Sequence, residues 1–302
     1  MMDRLSHHRE QIFRSIGITP GLGQTRMSLP FSQVDAFADR PFTGNPAAVV
    51  VLDSFPDDGW MQSVASEMNL SETAFVVASE SENEYSLRWF TPAAEVDLCG
   101  HATLASAHVL FETWRVGRSD PIHFQTRSGP LTCRHHEGLI TMDFPAIDRR
   151  DDVTPDVQQA VLECLGLATA TVFQSRFDIV VVVEDEASVI DLAPDFHRMK
   201  QIATRGVIVT ALSSQPQSDF TSRFFAPRHN IDEDPVTGSA HCCLAPYWCR
   251  RLGRQQLIGY QASQRGGFVD CELRGDRVRL SGCAVTVFDG QLRKIAEPTN
   301  AT

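Results

Sequence analysis

Lysine is nearly missing from this chain of 302 residues, with Lys200 and Lys294 as the whole complement. Both stand among polar or charged neighbours, whereas Schiff-base chemistry needs a lysine in a desolvating pocket, so that class is set aside. Long apolar runs are missing too. The longest, Ala47 to Leu52 and Ile179 to Val183, are strand-sized, far below the ~20 residues of a membrane-spanning helix. Positive charge is scarce: 27 Lys and Arg stand against 38 Asp and Glu, for a net charge of -11 and a pI near 5.3. That balance argues against nucleic acid and anionic membrane surfaces as partners. No signal-peptide core opens the chain, and the eight cysteines lack the dense spacing of a disulfide scaffold. Reduced thiols and a cytoplasmic location are the expectation.

Cofactor and metal signatures are also lacking. Gly21-Leu22-Gly23 begins a dinucleotide fingerprint that Arg26 breaks, and there is no Walker A loop, HExxH, CxxC pair or G-x-S-x-G elbow. His7-His8 and His135-His136 are adjacent pairs rather than ligands at helical spacing, and Cys242-Cys243 would point to different helix faces. No metal, nicotinamide, flavin or pyridoxal cofactor is expected.

What is present reads as an ordinary globular protein, 42% hydrophobic and 22% charged. Residues 1–30, with Arg4, Arg9, Arg14 and Arg26 and no strong periodicity, read as a poorly ordered tail. From Gln33 onward, period-2 runs mark strands at Val34 to Phe37, Ala47 to Leu52, Thr73 to Val77, Ser86 to Phe90, Ile179 to Val183 and Ala284 to Phe288. Helical periodicity marks Asp58 to Met68, His101 to Trp114, Val157 to Leu165 and Ser239 to Leu252. The class is α+β.

An internal repeat organises these elements. Arg88-Trp89-Phe90-Thr91-Pro92 returns as Arg223-Phe224-Phe225-Ala226-Pro227. Each copy then reaches a glycine that opens a helix, Gly100 or Gly238. From there the register holds: Gly129 and Gly267 both follow by 29 residues, and Cys133 and Cys271 by 33. Two half-domains of one fold are expected, 31–148 and 149–302, with the last strand free to pack on the first half. The polar run Asp148 to Thr154 marks the boundary. Each paired helix is small or apolar around most of its circumference, as a buried helix is, and Pro246 should kink or break the second.

The two helix starts offer the clearest chemistry. Gly100-His101 and Thr237-Gly238-Ser239 present free backbone N–H groups and the positive ends of helix dipoles, which favour anions. If the halves face each other across a pseudo-twofold axis, both starts point into one cleft, and a substrate carboxylate is the natural guest. Glu95, Asp97, Glu233 and Asp234 lie near these starts in sequence, and Glu72 sits where a helix gives way to a strand. On the residues alone, Glu72 reads as well as a solvated loop residue, His101 as a donor to a nearby carbonyl, and Gly238-Ser239 as a cap.

The runs Asp35-Ala36-Phe37, Phe42 to Val49, Glu67 to Phe75, Arg88 to Pro92, Cys99-Gly-His-Ala-Thr103 and Glu233 to His241 resemble the PhzF-like family of phenazine biosynthesis. They look closest to its eukaryotic branch of phenazine biosynthesis-like domain proteins, over about Met27 to Leu292. The resemblance implies the diaminopimelate-epimerase-like fold: two pseudo-symmetric domains, each a curved sheet around a central helix, often as a homodimer. It also implies a cofactor-independent isomerase acting on a small carboxylate-bearing metabolite, with Glu72 as general acid/base. The family's cleft histidine falls on His101, its aspartate on Asp234 and its helix-start serine on Ser239, with Gly100, Thr237 and Gly238 binding substrate beside them. The wider fold includes racemases with a cysteine at each helix start. Cys99 fits one position, but its counterpart in the repeat is Thr237, which cannot serve as a thiolate. A racemase-like activity and a non-catalytic binding module on the same fold are the competing readings.

Overall fold

The computed structural model describes residues 28–113 and 115–293. Residues 1–27 of the expected tail, with His7-His8 and Gly21-Leu22-Gly23, lie outside them, as does Lys294; Ser28 to Pro30, also read as tail, instead open the first strand. Within the unit Pro30–Gly290, the strands fall into two series. The first is β1 (Ser28–Ala36), β2 (Asn45–Leu52), β3 (Glu72–Ala78), β4 (Glu84–Phe90), β5 (Glu95–Val96), β6 (Ile122–Thr126), β7 (Gly129–His136) and β8 (Leu139–Pro145). The second is β9 (Thr171–Gln174), β10 (Ile179–Val182), β11 (Val207–Leu212), β12 (Phe220–Ala226), β13 (Ile231–Asp234), β14 (Gln256–Gln261), β15 (Gly267–Arg274) and β16 (Arg277–Gly282), followed by β17 (Ala284–Arg293).

The two series pair in the same order and sense. β2 runs parallel to β3 as β10 does to β11, and β4 runs parallel to β6 as β12 does to β14. The antiparallel pairs β3–β4, β4–β5 and β6–β7 return as β11–β12, β12–β13 and β14–β15. The last strands of the two series, β8 and β16, pair antiparallel with each other, so the series meet in one continuous ladder. The repeat in the topology is thus longer than the register visible in the sequence.

Each series wraps a helix, Gly100–Glu112 in the first and Gly238–Leu252 in the second. Both are buried nearly all round, as their composition requires. Two hydroxyls inside the first are satisfied locally: Thr103 and Ser106 donate to the carbonyls of Cys99 and Ala102, at 2.6 and 2.7 Å. Around the two helices lies one core cluster that includes Leu104, Phe124, Leu244 and Leu280, and a second packs the Pro155–Leu165 helix against Val181, Val209 and Phe225.

The repeated arginine of the pentapeptide does the same task in both copies. Arg88 donates to both oxygens of Glu95 at 2.7 Å, and Arg223 to both oxygens of Glu233 at 2.7 and 2.9 Å. Such forked pairs fix the short strand leading to each helix start. Glu95 and Glu233 are therefore structural, although their place in the sequence lies close to the site.

Pro246 does not break its helix, which runs unbroken from Gly238 to Leu252. A proline leaves the carbonyl four residues back without its helical donor, and here that carbonyl belongs to Cys242. The backbone N–H of Ile147, just past β8, donates to it at 3.0 Å. One strand is longer than its pattern suggested: β1 begins at Ser28, well before Val34, and stops at Ala36 because Phe37 takes a left-handed φ of 57°.

Candidate active site

Glu72 is the first residue of β3, beside Ala47 of β2. The helix Asp58–Met68 delivers it there: the Asp57 carboxylate caps its start by accepting from the Trp60 N–H, and Asn69, at φ 50°, ends it in the left-handed conformation. The Glu72 side chain is only 13% exposed, and its Oε2 lies 3.0 Å from Nε2 of His101. That contact does not meet hydrogen-bond geometry, and Oε2 has no hydrogen-bond partner among the described residues.

His101 is buried in the first turn of the Gly100 helix. Its Nδ1 lies 3.2 Å from Nδ2 of Asn45 and 3.6 Å from Sγ of Cys99. Asn45, the fully buried first residue of β2, also donates from Nδ2 to Asp234 Oδ1 at 2.8 Å and to the Val236 carbonyl at 2.9 Å. Asp234 closes β13 and accepts from the Thr237 hydroxyl. Gln261 binds the same turn, accepting from the Thr237 N–H at 2.8 Å and donating to the Asp234 carbonyl at 2.7 Å. Residues far apart in sequence thus form one buried polar cluster.

The turn before Asn45 is held from outside. Buried Asp35 accepts from the Phe42 N–H and from Arg265, whose guanidinium also reaches the carbonyls of Thr43 and Gly44. Gly44 is required there: its φ is +64°, and a Cβ would sit 2.2 Å from the Ala36 carbonyl oxygen.

The two helix starts face each other, as the symmetry argument expected. A Cβ placed on Gly100 would lie 3.6 Å from the Cα of Gly238. Neither N-cap residue, Cys99 or Thr237, caps its helix with a side-chain hydrogen bond, so the first-turn N–H groups remain available to an anion. Ser239 lies in that turn, but its hydroxyl accepts from Arg205 at 3.1 Å, and Arg205 is itself paired with buried Asp178. It makes no hydrogen bond to Glu72, His101 or Asp234 among the described residues. Asp97 is exposed, 4.0 Å from Arg127. A recess of about 600 Å³, lined by Arg40, Thr43, Tyr260 and Arg265, holds none of Glu72, His101 and Asp234.

Burial governs the charges. It lifts the Asp234 carboxyl to about 6, against the positive charge of His101 and the bonds from Thr237 and Asn45. Burial, helped by the Glu72 charge, also pushes the Cys99 thiol up to about 11. For His101, burial disfavours the imidazolium, while Cys99 as a thiolate and Glu72 favour it and carry the balance above the ordinary histidine value. A thiol at about 11 is protonated at neutral pH, which leaves Glu72 as the favouring charge. Glu72, Cys99 and His101 also bring potential ligand atoms within 4.8 Å of one another, a grouping that could hold a metal ion. No helix among the described residues is long and apolar enough to cross a membrane.

Residues 34–290 match the family described as phenazine biosynthesis-like protein. The chain belongs to this family. Among its PhzF-like relatives, an uncharacterized isomerase of Halalkalibacterium halodurans is 48% identical over 88% of this chain and 99% of the relative. The eukaryotic branch matches as well: mouse phenazine biosynthesis-like domain-containing protein 2 is 38% identical with the same coverage, a lower identity than the bacterial protein shows. A PhzF family structure from Enterococcus faecalis superposes with a TM-score of 0.83 at 43% identity, covering 89% of this chain and 100% of its own. The α+β architecture is therefore that of PhzF proteins.

Proposed function

We propose that this PhzF-family protein is a cofactor-independent isomerase that moves a proton within a small carboxylate-bearing metabolite. The observation that carries the proposal is the Glu72 Oε2 atom: buried, without a hydrogen-bond partner among the described residues, and 3.0 Å from His101 Nε2. A buried acceptor left open is unfavourable by about 1–3 kcal/mol, and a proton-accepting role accounts for it. Isomerase names among relatives of similar length and about half identity support the reaction class.

In this reading the substrate carboxylate sits against the facing helix starts at Gly100 and Gly238, with N–H groups from both. Glu72 takes a proton from an adjacent carbon, and the electron pair spreads into the substrate's conjugated or carbonyl system. The same carboxylic acid then returns the proton at another carbon, so Glu72 is regenerated and no co-reactant is used up. His101 holds the developing negative charge from beside Glu72, while Asp234 and Thr237 fix the second wall. The two-thiol racemase reading is disfavoured, because Cys99 is held as a thiol and its counterpart is Thr237.

The test is to incubate the purified protein with small carboxylated metabolites in deuterated water. An isomerised product carrying deuterium at the new position supports the reading. Tight binding of a carboxylate with neither isomerisation nor exchange overturns it in favour of the binding-module alternative.

A further inference from the structure

The Asn45 amide touches functional groups from both copies of the repeat, His101 from the first and Asp234 from the second. Its orientation is set by chemistry. Nδ2 faces two atoms that can only accept, Asp234 Oδ1 at 2.8 Å and the Val236 carbonyl at 2.9 Å. Turning the amide over would set Oδ1 against both, two acceptor-to-acceptor contacts in a fully buried place. The NH₂ group is therefore the end that faces Nδ1 of His101 at 3.2 Å.

An NH₂ group has no lone pair to offer, so a proton on Nδ1 would meet a donor at 3.2 Å and find only the Cys99 sulfur, a weak acceptor at 3.6 Å. We infer that Asn45 is a positioning residue that fixes the tautomer of His101, leaving Nδ1 bare and placing the ring proton on Nε2, beside Glu72. The proton is beside Glu72 and not spent on it, since the contact of 3.0 Å does not count as a hydrogen bond. The Nε2–H group is thus free to donate to a substrate oxygen while Glu72 handles the carbon-bound proton. Orientation passes along a chain from Asp234 and the Val236 carbonyl through Asn45 to His101. The neutral ring is the form the Asn45 NH₂ accommodates, because an imidazolium would set its own Nδ1–H against that donor; this contact opposes the rise toward the imidazolium that the Glu72 charge favours. The inference concerns the resting protein and stands whether or not the isomerase reading does.

The experiment is long-range 1H–15N correlation spectroscopy of the full chain with 15N-labelled histidine at neutral pH, with His101 assigned by its absence in His101→Gln. The wild type should show the coupling pattern of an Nε2–H ring with Nδ1 unprotonated. Asn45→Asp replaces the donor with an acceptor, so the proton should move to Nδ1. A generally loosened site would give averaging between the two forms instead. Asn45→Ala should show that averaging. A wild-type His101 protonated on Nδ1, as the other tautomer or as the imidazolium, overturns the inference, and so does an unchanged pattern in a folded Asn45→Asp. If neither variant folds, the wild-type spectrum alone still decides.

Discussion

Gly100 and Gly238 stand face to face at the starts of the two central helices, with a Cβ on either lying 3.6 Å from the Cα of the other. That is ordinary contact, and the next atom a Cβ on Gly238 meets is Leu280 Cδ1 at 3.8 Å. Gly238→Ala should therefore fold with a stability change under about 1 kcal/mol. The added methyl would occupy the space of the proposed substrate carboxylate, so KM for the substrate found by deuterium exchange should rise roughly tenfold or more, about 1.4 kcal/mol. An unchanged KM in a folded variant would place the carboxylate elsewhere.

Glu72→Gln keeps the size and polarity of the side chain and removes the proton acceptor. Turnover should fall by roughly 10² or more, the scale of a positioned acid/base group, with ligand affinity little changed. Normal deuterium incorporation by this variant would remove Glu72 from the mechanism.

Cys99→Ala should retain most activity, because the thiol is protonated well above neutral pH and Thr237 stands where a second thiol would have to be. A near-complete loss, accompanied by an intact unfolding midpoint, would restore the two-thiol reading.

His241 should make the protein acid-labile. Its Nδ1 lies 2.9 Å from the Thr237 carbonyl, its Nε2 has no partner among the described residues, and burial lowers its pKa to about 4. As pH falls through about 6.5, the unfolded chain takes the proton first. The stability present above that pH is then lost progressively down to about 4, by up to roughly 3 kcal/mol. In urea unfolding between pH 7 and 4.5, His241→Gln should show a shallower decline than the wild type, and equal slopes would count against this assignment.

Much of this molecule is legible in its sequence. The four longer helices begin and end within two residues of their patterns, three of them closing on Asn69, Gly166 or Gly253, whereas the short helices Glu186–Ile190 and Phe196–Met199 carry too little periodicity to be read. The repeat foretold facing helix starts at Gly100 and Gly238. Other features depend on partners distant in the chain and leave no local pattern. Asn45 meets Asp234 across 189 residues, and nothing near it marks the contact beyond a polar residue opening the apolar run Asn45–Leu52. Ser239 looked like a free helix-start hydroxyl, yet Arg205, 34 residues earlier, donates to it. Glu95 and Glu233 were read as neighbours of the site because their arginine partners sit on strands whose pairing had to be known first.

Pro246 bears on the history of the duplication. The equivalent position in the first copy, eight residues after Gly100 as Pro246 is after Gly238, is His108, which keeps its backbone N–H. Only the second copy has a vacant helical carbonyl, and it is filled from the end of the first copy at Ile147. At this contact the first unit is the donor and the second the recipient. The proline thus makes the two copies unequal, since the second copy's central helix is completed by a backbone donor from the end of the first.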